Sequence, residues 1–188
     1  MTLPEKIEAV ERLFVELDER IANFQQKSGL FCPTGCGKCC LKPDIEATVL
    51  EFLPFAWHMY KAGTAEMWYE KVKSVNDAIC VILNPQQQGQ GWCSQYPYRG
   101  LICRLFGYSA RHNKYGGPEL ITCSIIRDES SYSGTVKAVE EGSMEVPYMR
   151  NYYMQLQGID PVLSAERLPI NQAIARAMES VMAYMAYR

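Results

Sequence analysis

Apolar side chains recur every three or four residues at the start of the chain: Leu3, Ile7, Val10, Leu13, Phe14, Leu17, Ile21 and Phe24. That spacing predicts a long amphipathic helix with one buried face, with Pro4 in its first turn and Gly29 as its stop. Asp44 is expected to open a second helix through Val49, Leu50, Leu53 and Met59 to Gly63, bent or divided at Pro54. Thr64 reads as the cap of a third helix running towards Ala78.

From Leu83 the pattern changes. Asn84 to Gly91 is a polar, glycine-containing connector. Leu101–Tyr108 and Leu120–Ile126 are short apolar runs that fit strands or buried loops, with Arg111–Pro118 as the turn between them. Asp128–Gly134 reads as a loop and Val146–Gln157 as a helix. Ile170, Ile174, Met178, Val181 and Met185 mark a final helix, with Pro169 suited to its first turn. The expected fold is mainly α: one helical domain over residues 1–188, with room for one short β-hairpin. It comprises an N-terminal helix (1–31), a cysteine-rich metal-binding region of loops (32–126) and a C-terminal helical region (127–188). The Met- and Tyr-rich end offers a face for a protein partner, although a core-facing stripe fits its spacing better.

Composition narrows the classes. A chain of 188 residues, 48% hydrophobic, can bury a core without covalent staples and is not expected to be disordered. A net charge of -2, with no basic stripe and interleaved aromatics, argues against nucleic acid or an anionic membrane as a partner. The first residues lack the basic start and apolar run of a secretory leader. Ile45 to Tyr60 is apolar-rich but carries Glu46, Glu51 and His58, which argues against a membrane span. A cytoplasmic setting, in which thiols stay reduced, is the expectation.

In that setting eight cysteines call for an explanation. Cys36 and Cys39, with Gly37 between them, suit a tight turn that converges two thiolates on a metal, and Cys32 can join through Thr34-Gly35. Neighbouring side chains diverge on a helix or a strand, so Cys39 and Cys40 serve one zinc ion poorly. They fit different irons of one cluster, or two separate sites. Cys80, Cys93, Cys103 and Cys123 lie too far apart for a local knuckle and must be gathered by the fold. The eight allow two four-thiolate sites, or one such site and a residual group. Aspartate, His58 or His112 can replace a thiolate, but a solitary histidine without ligand spacing is more often structural. Disulfides fit the even count but not the compartment. A redox Cys36-x-x-Cys39 pair lacks a preceding thioredoxin-like strand. Metal ligation is the expected role.

These residues together resemble the YkgJ-like CxxCxxCC proteins, described as zinc- or iron-chelating or iron–sulfur proteins. The first motif is Cys32-x3-Cys36-x2-Cys39-Cys40, and Cys80-Val-Ile-Leu83 is similar to the family's next element. Cys93-Ser-Gln-Tyr96-Pro-Tyr-Arg99-Gly100-Leu-Ile-Cys103-Arg104-Leu-Phe106 resembles its Cys-x-x-Tyr-x-x-Arg-Pro-x-x-Cys-Arg-x-Phe element, with Gly100 where the family has proline. Cys123 matches a later cysteine found in some members. The resemblance covers the middle half of the chain and implies metal binding rather than an assigned reaction. It also admits an iron–sulfur-dependent protein lysine N-methyltransferase-like enzyme, although no glycine-rich methyl-donor site can be mapped. A metal-trafficking or structural zinc protein is the other alternative.

The adjacent Cys39-Cys40 pair makes an iron–sulfur cluster, 4Fe-4S in type, the first choice, with zinc second. Arg99, Arg104 and Lys38 are expected to offset the thiolate charge, with Arg99 and Arg104 donating to sulfur; carboxylate pairing is the ordinary alternative. Tyr96 and Phe106 are expected to shield the site, although ordinary core packing explains them equally well. Glu46 and Glu51 are candidate acid–base residues, with exposed helix carboxylates as the default reading.

Overall fold

The apolar period at the start of the chain is realised as one helix in the computed structural model. Helix α1 (Leu3–Ser28) buries Ile7, Val10, Leu13, Phe14, Leu17, Ile21 and Phe24, each at most 6% exposed. A reciprocal pair opens it. The Thr2 N–H donates to Glu5 Oε2 (2.7 Å) and the Glu5 N–H to Thr2 Oγ1 (3.5 Å), a capping box that satisfies orphan first-turn donors. The helix stops at Gly29, φ 69°.

The elements that follow are β1 (Glu46–Ala47), α2 (Leu53–Lys61), α3 (Ala65–Ser74), β2 (Leu83–Pro85), β3 (Gly91–Cys93) and α4 (Leu101–Leu105). After them come β4 (Ser109–His112), β5 (Pro118–Ile121), α5 (Ser124–Arg127), α6 (Tyr132–Glu140), α7 (Met149–Ile159), β6 (Leu168–Pro169) and α8 (Ile170–Ala186). The structure describes residues 1–33, 35–75, 78–85 and 91–187. Residues 86–90 of the expected connector, Thr34 of the expected link and residues 76–77 beyond α3 lie outside them. The protein is 57% helical, with eight helices and only short antiparallel strand pairs among the described residues, the mainly α fold that the pattern predicts. No helix among them is long and apolar enough to cross a membrane.

The chain divides into two units: Met1–Arg12, Gly35–Gly100 and Leu156–Arg188 form the first, Leu13–Thr34 and Leu101–Gln155 the second. In the first, β1 pairs with β6, Ala47 opposite Leu168. Glu46 points outward and Ala47 inward, so the segment expected to open a helix at Asp44 is extended there. Helical turns begin only at Leu50, where a 3₁₀ turn (Leu50–Phe52) leads into α2. Pro54 sits in the first turn of α2, where its missing N–H costs nothing, and so divides the segment. Thr64 precedes α3 as expected, but its hydroxyl donates to the Met59 carbonyl (3.3 Å) rather than capping the helix.

Helix α8 packs on α2 and α3. Ala173 and Ala177 are fully buried and allow close approach, while Ile174, Met178 and Val181 fill the space around them. Phe55 and Trp68 meet edge to face, ring centroids 5.4 Å apart, a favoured aromatic geometry. Glu51 is fully buried, not exposed as expected: its Oε1 accepts from the Thr48 N–H (2.7 Å) and hydroxyl (3.0 Å).

Lys6 Nζ stands 2.6 Å from Asp160 Oδ2, and Asp160 Oδ1 accepts from the N–H groups of Val162 (2.8 Å) and Leu163 (3.0 Å). Burial works to raise the Asp160 pKa, but Lys6 and the two N–H groups outweigh it and hold the carboxyl below its ordinary value. A depressed carboxyl contributes stability above its unfolded pKa of about 3.9 and loses it as pH falls through the folded value. Asp160→Asn is therefore expected to melt lower than wild type at neutral pH. The gap should close below about pH 4 in melting curves taken across pH; a pH-independent gap would contradict it.

In the second unit, Leu101–Tyr108 is not a strand. Leu101 and Leu105, both fully buried, lie one turn apart on the same face of α4. The expected turn before Pro118 is present between β4 and β5, which pair with Ser109 opposite Ile121 and His112 opposite Pro118. Asn113 closes it, its Oδ1 accepting from the N–H groups of Tyr115 (2.8 Å) and Gly117 (3.1 Å). The apolar run Leu120–Ile126 is shared between β5 and α5. Helix α6 begins inside the expected loop Asp128–Gly134. Thr135 and Val139, four residues apart, are buried, and the Thr135 hydroxyl donates to the Ser131 carbonyl (2.9 Å). The helix expected from Val146 starts at Met149.

Candidate metal centre

The first cysteine motif is shaped by its backbone. Gly37 is left-handed (φ 55°, ψ 1°), which suits glycine, and leads into a single 3₁₀ turn, Lys38–Leu41. The Cys40 N–H donates to the Gly37 carbonyl at 2.9 Å. Three residues per turn separate neighbouring side chains by about 120°, more than the roughly 100° of an α-helix, so the side-chain rotamers and not the turn itself bring the two sulfurs together. Cys39 Sγ and Cys40 Sγ lie 3.9 Å apart. The expected divergence of adjacent thiols does not hold in this turn.

Cys80 and Cys93 belong to the same unit and are related by the β2–β3 hairpin. Leu83 lies opposite Cys93 and donates its N–H to the Cys80 carbonyl (3.0 Å), while Ser94 Oγ donates to the Ile82 carbonyl (2.8 Å). Burial, chiefly, pushes the Cys80 thiol up to about 11, and Cys93 and Cys39 are close enough to add to the shift. Cys39 is held down to about 6, first by the hydrogen bond from the Cys40 thiol, with smaller help from backbone N–H groups and the Arg99 charge, against burial. The Arg99 guanidinium lies 4.0 Å over the Tyr96 ring, and Tyr96 is 58% exposed, so that ring does not seal the site. Cys36, also in this unit, is half-buried.

Gly100 follows Arg99. A Cβ there would lie 2.8 Å from Phe52 Cζ and 2.9 Å from Glu51 Oε2. The departure from proline thus has a local cause, because the chain passes too close to Phe52 and Glu51 for a side chain. Thr48-x-x-Glu51 has the spacing of a capping box, and the hydrogen bonds from Thr48 to the Glu51 carboxylate follow it.

Cys32, Cys103 and Cys123 lie in the second unit. Cys32 is exposed, and its N–H donates to Tyr108 Oη at 2.6 Å. Cys103 sits within α4, half-buried, and Cys123 immediately precedes α5, its carbonyl accepting from the Arg127 N–H (3.1 Å). Arg104 has a carboxylate partner, Asp18, and its guanidinium lies 4.5 Å over the Phe14 ring. Its side chain is 4% exposed, whereas Asp18 is 44% exposed and can be rehydrated. Arg104→Met, which keeps an apolar stem, is expected to cost about 1–2 kcal/mol in urea unfolding; no loss of stability would contradict the pair's role.

His58 stacks on Tyr98 (4.0 Å), while His112 hydrogen-bonds to the Gly116 carbonyl (3.0 Å) and stacks on Tyr148 (4.7 Å). Phe106 is half-buried; Lys38 and Glu46 are exposed. Among the described residues no disulfide links the cysteines, and no three His, Cys, Asp or Glu side chains are already arranged to hold an ion.

The donor chemistry nevertheless fits a thiophilic metal. A tetrahedral ion with metal–sulfur bonds of about 2.3 Å spans about 3.8 Å between two sulfurs. The Cys39–Cys40 separation of 3.9 Å is close to that edge. Cys80 and Cys93 are soft donors within electrostatic reach, and Arg99 supplies positive charge beside Cys39.

No curated protein and no solved structure matches the chain significantly. Residues 31–124, half of the chain, match the family model CxxCxxCC, described as a "putative zinc- or iron-chelating domain". On that match, which carries all eight cysteines, the chain belongs to the CxxCxxCC family.

Proposed function

We propose that the first unit chelates a single zinc or iron ion through Cys39, Cys40, Cys80 and Cys93, with Arg99 offsetting the charge of the thiolates. The observation that carries this reading is the 3.9 Å separation of the Cys39 and Cys40 sulfurs. Thiolates on separate irons of a four-iron cluster stand farther apart, so a pair this close favours one shared ion. It also removes the reason for preferring a cluster, which rested on divergence of the two side chains. The set leaves out Cys32, Cys36, Cys103 and Cys123.

Cys80 must lose a proton to join, and Cys80 and Cys93 must close on the pair; coupling of ligand deprotonation and local ordering to metal binding is common. Four thiolates around a divalent ion leave a net charge of minus two, which a nearby guanidinium stabilises. Bound zinc would tie the 3₁₀ turn to the hairpin, and bound iron would add one-electron chemistry. Metal and acid-labile sulfide analysis of protein purified without oxygen tests this. One zinc or iron per chain without sulfide is the expected result. Iron with matching sulfide and a dithionite-reducible signal would replace the single ion by a cluster, and the absence of both metals would overturn the centre.

A further inference from the structure

The Cys39–Cys40 pair is a chelate before any other donor joins it. Its sulfurs are 3.9 Å apart, and the turn beneath them is held by the Cys40 N–H to Gly37 carbonyl bond at 2.9 Å. Both thiols are partly exposed, and Lys38, Leu41 and Lys42 around them are exposed, whereas Cys80 is buried. A reagent from solvent therefore reaches two adjacent sulfurs at once and meets Cys80 last.

We propose that Cys39 and Cys40 together form a binding site for trivalent thiophilic metalloids, of which arsenic(III) is the representative. This shares the sulfur pair with the proposed metal centre but requires neither Cys80 nor Cys93. Arsenic(III) is soft and pyramidal, its lone pair occupies one side, and two thiolates from one turn satisfy it without a tetrahedral set. With an organoarsenic oxide the step is a condensation. Two As–S bonds form, two S–H bonds break, and the arsenic-bound oxygen leaves as one water carrying both protons. Arsenic stays trivalent and sulfur is not oxidised. Attachment through two sulfurs makes the second bond intramolecular, which strengthens retention well beyond that of either thiol alone.

The experiment uses the full chain and phenylarsine oxide, read by intact-mass and peptide mass spectrometry. One adduct per chain is expected, formed with loss of one water and mapped to a peptide holding both Cys39 and Cys40. A dithiol should release it, and the same concentration of a monothiol should not. Cys39→Ser and Cys40→Ser are each expected to weaken binding by about 100-fold or more. Cys32→Ser and Cys123→Ser should leave it unchanged, with circular dichroism confirming that all variants are folded. Tight binding that survives in either pair variant, or an adduct mapped to other cysteines, would overturn the proposal. Cys93→Ser separates it from the metal-centre reading. That variant should lose zinc or iron yet keep the arsenical, and zinc binding without arsenical binding would sink the metalloid site alone.

Discussion

Cys39→Ser and Cys40→Ser are each expected to lower zinc affinity by more than about 100-fold. Removing a group that only supports a metal ligand costs about 10- to 100-fold in affinity. A thiolate that touches the ion costs more, because serine offers a hard oxygen that stays protonated at neutral pH. The two substitutions should have similar effects, since the 3.9 Å pair acts as a unit and either loss leaves a single sulfur on the turn. Arg99→Gln, which removes charge beside Cys39 but no donor, should cost only about 10-fold. Titration against a chromogenic chelator measures all three. Wild-type affinity in either serine variant would show that the pair does not hold the ion.

Phe52→Ala is expected to cost about 3–5 kcal/mol in urea unfolding, because Phe52 is 1% exposed and its ring fills the core of the first unit. Gly100→Ala should cost about 1–3 kcal/mol by the opposite route, forcing a methyl group against Phe52 Cζ and Glu51 Oε2. The two changes meet at the same place, so the double variant should lose less than the sum of the single losses. The cavity left by the ring accepts the new methyl group, which is the coupling that neighbouring sites show. Additive losses would mean that the close approach at Gly100 does not limit the fold.

How much of this was legible depends on how local each cause is. Helices α1 and α8 show in the apolar period because one face of each is buried along its whole length, from Ile7 to Phe24 and from Ile170 to Val181. Helices α4 and α6 are hidden for different reasons. The first is a five-residue run too short to display a period, and the second starts among serines and a glycine whose turn preference is overridden by burial of Thr135 and Val139. Strand β1 has two residues, and its partner Leu168–Pro169 lies near the other end of the chain, so nothing local announces it.

The site divides in the same way. The cysteine spacing carries the family, whereas the closeness of the Cys39 and Cys40 sulfurs is set by side-chain rotamers that no spacing rule announces. Arg99 and Arg104 look equivalent around Cys103 in the sequence. The fold gives Arg104 a carboxylate partner in Asp18 and leaves Arg99 within electrostatic reach of Cys39. Glu51 could have been found, since Thr48-x-x-Glu51 announces the hydrogen bonds that the carboxylate accepts.

X-ray absorption at the zinc and iron edges of the purified protein shows whether one ion sits among four thiolates. One shell of four sulfurs at about 2.3 Å around a single ion is expected, with no second metal nearby. That shell should fall to three sulfurs or be lost with the metal in Cys39→Ser and Cys40→Ser. A shell of nitrogen and oxygen donors, or an iron–iron vector beyond the sulfurs, would contradict it.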